Sequence, residues 1–114
     1  MGLDFRGSDA HWSYGGFHRF RARLAMEVGI DLENMQGFGG KQISWDGVYD
    51  PLKWLLSHSD CDGEMSPKEC EKVYPRLREI IGKWPDDDYD KIQATRLADG
   101  MENCALDDKP LIFR

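Results

Sequence analysis

The sequence predicts an α+β domain, mostly α, with three to four helices and a small sheet that pairs the two ends of the chain. Three observations carry this expectation. Apolar residues recur at helical spacing in four segments. The short stretches "GLDFR" at 2–6 and "PLIFR" at 110–114 alternate like strands. The chain of 114 residues, with four Trp, four Tyr and five Phe, has core-forming side chains that disordered chains lack. One domain over residues 1–114 accommodates all of it.

"GLDFR" is followed by Gly7, Ser8 and Asp9, which end a strand. Pro110 suits the first residue of the closing strand. A sheet of two strands is marginal by itself and needs helices packed on it. The first of these is "FHRFRARLAMEVG", in which Phe17, Phe20, Leu24 and Val28 share a face and Gly29 suits a C-cap. Arg19, Arg21 and Arg23 point mostly elsewhere and are expected on a solvated face. The stretch from Ile30 to Tyr49 is rich in Gly and turn residues and reads as a long connection. Its "GFGGKQ" is not a phosphate loop, because Met35 and Gln42 replace the first Gly and the hydroxyl residue of that pattern.

"DPLKWLLSH" opens with Asp50 as N-cap and Pro51 at the first helical position. In "SPKECEKVYPRLREIIGKW", Cys70, Val73, Leu77, Ile80 and Ile81 form an apolar stripe, and Pro75 is expected to bend the helix. Asp86, Asp87 and Asp88 precede the last periodic segment, "YDKIQATRLADGMENCAL", where acidic residues suit a helix N-terminus.

Between the second and third helices lies "HSDCDGEMSPKE", residues 58–69. With Gly63 as the sixth residue of a twelve-residue calcium loop, the ligand places fall on His58, Asp60, Asp62, Glu64, Ser66 and Glu69. Asp60 and Asp62 offer carboxylates, Glu64 a backbone carbonyl, Ser66 a hydroxyl or bound water, and Glu69 a bidentate carboxylate. Met65 takes the place of an apolar anchor. Helix, loop and helix over about residues 50–81 therefore resemble an EF-hand.

His58 departs from that pattern, which requires Asp at the first place. Imidazole suits zinc, nickel or copper better than calcium, so a divalent cation should bind weakly or not at all. A hydrogen bond from His58 could instead close an empty loop. The same residues also have a purely structural use. Ser66 and Glu69 form a capping box around Pro67, and Asp60 and Asp62 suit Asx turns. A zinc site on His58, Cys61 and Cys70 matches no usual ligand spacing, and Cys70 falls on the apolar stripe.

"MGLDFRGSDAHWSYGGFHRFR", "LLSHSDCDGEMSPKEC" and "PLIFR" resemble a group of small bacterial and phage proteins with an M-G-L-D start and an H-S-D-C-D-G-E motif. That group brings no established activity. The resemblance implies that His58 belongs to the motif as written, and a phage origin raises an inhibitor of a bacterial defence complex, such as an anti-CRISPR.

The net charge of −6 disfavours direct binding to nucleic acid or to an anionic membrane, which need clustered Lys and Arg. No secretory signal or membrane span is visible, and three cysteines cannot all pair within the chain, so a cytoplasmic location is expected. No catalytic motif is present. His11, His18 and His58 with Asp4, Asp9 and Glu27 could converge only by folding, so the expectation is a non-enzymatic protein. The first functional expectation is a small binding or regulatory protein, a monomer or small homo-oligomer that engages another protein. The alternative is the inhibitor, presenting Asp86, Asp87, Asp88, Asp90, Asp107 and Asp108 to a basic groove.

Overall fold

The computed structural model describes residues 2–114. The chain forms β1 (Leu3–Arg6), β2 (Ser8–Trp12), α1 (Tyr14–Glu27), α2 (Lys53–Leu56), β3 (Glu64–Met65), α3 (Pro67–Ile81), α4 (Tyr89–Asp107) and β4 (Leu111–Phe113). About half of the protein is helical. The four strands make one antiparallel sheet in the order β2-β1-β4-β3.

The two ends pair as expected, with Phe5 opposite Phe113 and Arg6 opposite Ile112. The sheet is wider than the pair that the sequence suggests. Ser8 and Asp9 read as turn residues, yet they open β2, in which Ala10 and Trp12 alternate inward while Asp9 and His11 stay exposed. Gly7 alone is left to turn the chain, so β1 and β2 form a tight hairpin. At the other edge β3 is only two residues long and pairs Glu64 with Ile112 and Met65 with Leu111. A strand this short leaves no periodicity to detect.

The inward face of the sheet carries Leu3, Phe5, Leu111 and Phe113, all buried. The rings of Phe5 and Phe113 meet that of Phe17 in α1. Phe5 and Phe113 pack edge to face at 4.9 Å, and Trp12 stacks on Phe20 at 4.5 Å. Such pairs add to the burial of large apolar area that drives folding. α3 and α4 pack against each other, and α4 covers β2. Gly100 of α4 makes that approach possible, because a Cβ there would lie 2.4 Å from the Gly7 carbonyl oxygen.

Helix ends follow the sequence closely. Ser13 caps α1 through a bond from the Gly16 amide, and Asp88 caps α4 through one from the Lys91 amide. α1 closes at Val28, one residue before Gly29. α3 runs through Pro75 to Ile81 as one helix. α2 is shorter than expected. Asp50 does accept from the Leu52 amide at 2.9 Å, but residues 51–52 form a turn and only Lys53–Leu56 are regular helix. The 30–49 connection contains single 3-10 turns at Leu32–Asn34 and Trp45–Gly47 and a parallel bridge between Met35 and Ile43. The protein measures 37 × 30 × 29 Å, and among the described residues no helix is long and apolar enough to cross a membrane.

Candidate functional site

The segment 58–69 folds as a closed loop between α2 and α3. Gly63 has φ +88°, a left-handed conformation that side chains with a Cβ resist, and it turns the chain into β3. A Cβ at this position would touch His58 Cε1 at 3.4 Å.

His58 is central to the loop. One ring nitrogen, Nε2, lies 3.0 Å from the Glu64 carbonyl oxygen, and Nδ1 lies 2.9 Å from that of Ser59. The ring stacks on Phe113 of β4, with centroids 3.8 Å apart and planes 20° from parallel. The Glu64 carbonyl is the one that a seventh-place ligand would offer a cation. In this fold an imidazole takes it.

Asp62, Ser66 and Glu69 are engaged as well. Asp62 Oδ1 accepts from Ser59 Oγ at 2.7 Å. Ser66 Oγ accepts from the Glu69 amide at 3.1 Å while Glu69 Oε1 accepts from the Ser66 amide at 2.8 Å, a complete capping box. The Glu64 side chain is exposed on the edge strand, and Asp60 faces a different neighbour, described below. Among the described residues no three His, Cys, Asp or Glu side chains form a cluster able to hold a metal ion. A cation in this loop would have to displace His58 from Glu64 and Glu69 from its cap.

Cys70 lies in the core, and burial pushes its thiol up to about 12. Cys61 is exposed. These environments differ too much for a shared zinc site with His58.

Other residues singled out in the sequence pair off locally. His11 Nδ1 meets Asp4 at 2.8 Å, His18 Nε2 meets Glu33 at 2.8 Å, and Glu27 accepts from Trp84 Nε1 at 2.8 Å. Asp9 remains exposed. The acidic residues of α4 divide between its two ends. Asp88 pairs with Arg23, Asp90 accepts from Trp12 Nε1, and Asp86 pairs with Lys91, all at the N-terminal end. Asp107 and Asp108 lie at the other end of nineteen helical residues, about 28 Å away at 1.5 Å per residue.

Arg21 overturns the expectation of a solvated arginine face, because only 3% of it is exposed. Its Nη1 donates to the carbonyls of Leu55 at 3.5 Å, Leu56 at 3.3 Å and His58, closing the C-terminal end of α2. The guanidinium also lies 4.6 Å from the Phe17 ring centroid and 5.4 Å from that of Phe38. Burial holds it down at about 10, opposed by the charge of Asp60. Arg23 is half-buried, stacked 3.6 Å from the Trp84 centroid, while Arg19 is exposed as expected. A signal for Arg21 exists in the sequence. It lies four residues after Phe17 and three before Leu24, on the buried stripe itself.

In comparisons with known proteins, no family model, no curated protein and no solved structure matches this chain.

Proposed function

We propose that this is a small, non-enzymatic, cytoplasmic binding protein that engages another protein through the outer face of α1, with the EF-hand-like loop as a metal-independent clip. The observation that carries the reading is Met26, 78% exposed in the last turn of α1. It stands between two clefts. One is lined by Ala22, Ile30 and Leu32, and the other by Ala22, Arg23 and Trp84. Met, Trp and Arg around an apolar centre are the residue types enriched where proteins meet.

The clip reading is supported by the hydrogen bond between His58 and Glu64 and by the commitment of Glu69 to its cap, both of which weaken divalent-cation binding. Three free cysteines, one of them exposed, suit a reducing compartment. The inhibitor reading finds less support, because its acidic residues split between the two ends of α4 and those at the N-terminal end are largely paired.

The test compares the wild-type protein with Met26→Glu and Leu106→Glu as bait in an extract of the source cell. Leu106 is 77% exposed on α4 and controls for a new surface charge. The reading expects a defined partner that binds the wild type and Leu106→Glu but not Met26→Glu. Equal capture by all three would remove α1 as the contact, and no partner at all would remove the binding reading.

A further inference from the structure

The cavity beside the loop carries an inference independent of the α1 contact. It has a volume of about 570 Å³ and lies between α1, the 36–39 segment and residues 57–60, with Arg21, His18, Phe38, His58 and Asp60 in its wall. That volume falls in the usual range for small-molecule sites, about 300–1,000 Å³.

A buried cation needs acceptors on every side. Arg21 meets this on one side only. Its hydrogen bonds to the end of α2 all leave from Nη1, and Nε, itself buried, has no acceptor among the described residues. No carboxylate of the described residues forms an ion pair with it, although nine other pairs form among those residues, several of them on half-buried arginines. The edge left without a partner, Nε with Nη2, is the side-on fork that matches the two oxygens of a carboxylate.

We propose that this cavity binds a small organic carboxylate, held side-on by the Nε–Nη2 edge of Arg21 and covered by the ring of Phe38. Two features select the ligand. Phe38 and His18 lie ring to ring, with centroids 6.0 Å apart and planes 31° from parallel, and offer aromatic faces to a carbon skeleton. Asp60 in the wall, and Glu33 bonded to His18, place negative charge beside Arg21. A singly charged carboxylate suffers less repulsion there than a doubly charged phosphate. Phe38 is half-buried and lies between glycines at 37 and 39, so it can move aside to admit the ligand.

The test is an NMR titration of the full chain with benzoate at constant ionic strength, followed at the Arg21 Nε–H and at the backbone amides of residues 36–39 and 57–60. The proposal expects saturable shifts confined to these groups with millimolar benzoate, and none with its neutral counterpart benzamide. Inorganic phosphate should bind more weakly. Arg21 variants risk unfolding, since Arg21 closes α2, so the decisive variant is Asp60→Asn. Removing that charge should tighten benzoate several-fold, measured well below the melting temperature, which itself should fall because Asp60 also steadies the buried Arg21 cation. Shifts that do not saturate, an equal response to benzamide, tighter binding of phosphate, or unchanged affinity in Asp60→Asn would each overturn the proposal.

Discussion

His58 and Phe113 stack face to face, 3.8 Å between ring centroids, and so tie the loop before α3 to the last strand of the sheet. The two residues are 55 positions apart, and the contact exists because β4 inserts between β1 and β3. A double-mutant cycle with His58→Ala and Phe113→Ala should give a coupling of about 0.5–1.5 kcal/mol, the range for stacked ring pairs. Additive losses in denaturant unfolding would mean that the two rings do not support one another.

β4 also bears on the whole sheet. Deleting residues 110–114 removes Leu111 and Phe113, which are 0% and 1% exposed, and separates β3 from β1. Loss of each large core side chain costs about 2–5 kcal/mol, so the truncated chain should be largely unfolded at room temperature. A melting temperature equal to that of the full chain would contradict the central place of β4.

Helix ends and strand pairing of the termini were legible in the sequence because each has a local cause. Ser66, Glu69 and Asp88 bond to amides three residues away, and the apolar stripe of α3 repeats at its own period. β2 and β3 were not legible. Turn-forming Ser8 and Asp9 mask the alternation of Ala10 and Trp12, and two residues of β3 owe their conformation to β4. The loop could be placed residue by residue, but its state could not. Whether Glu64 offers its carbonyl to a cation or to His58 depends on where Phe113 holds the imidazole, and that is set by the far end of the chain. Arg21 departs from the expected solvated face because its place on the buried stripe outweighs its charge. Only the carbonyls at the end of α2 explain how a guanidinium is tolerated there.

Gly100 offers a test of the packing of α4 on the hairpin. Gly100→Ala should destabilise the protein by about 1–3 kcal/mol, the usual cost of overpacking. In an exposed helix position the same change would stabilise it by up to about 1 kcal/mol, because Ala is the better helix former. The sign of the change in unfolding midpoint therefore decides whether the Gly7 carbonyl is as close as the fold places it.

Asp88 should contribute to stability in acid. Burial raises its pKa, but bonds from Arg23 and from the Lys91 amide outweigh this and leave it below the ordinary carboxylate value. A carboxyl whose folded pKa is depressed stabilises fully above the unfolded value, and that contribution disappears as pH falls through the folded one. Asp88→Asn keeps a good N-cap and loses the ion pair with Arg23. It should cost up to about 1 kcal/mol at neutral pH and flatten the acid side of the stability profile. An unchanged acid limb would mean that the Arg23 pair does not persist in solution.

Gly63 and Glu69 should matter to folding without any metal. Gly63→Val forces a β-branched residue into a left-handed conformation against His58, at a cost of about 1–3 kcal/mol. Glu69→Ala removes half of the capping box, for about 1 kcal/mol. Both losses should appear in denaturant unfolding with excess chelator. Should they appear only when calcium is supplied, the loop works as a cation site and the clip reading fails.

The last prediction separates the two uses of the loop at its first ligand place. His58→Asp removes the bonds to the Glu64 and Ser59 carbonyls and the stack on Phe113, so without calcium the variant should be less stable than the wild type. The new carboxylate joins Asp60 and Asp62 and frees the Glu64 carbonyl, restoring the oxygen set that a calcium loop needs. Calorimetric titration should therefore show weak or no calcium binding by the wild type and stronger binding by His58→Asp. Calcium should then recover part of the lost stability, because a ligand that binds only the folded chain stabilises it. Tight binding by the wild type would mean that His58 leaves Glu64 readily and is no clip. A variant that is destabilised yet gains no affinity would mean that the loop lacks calcium-loop geometry once the imidazole is gone.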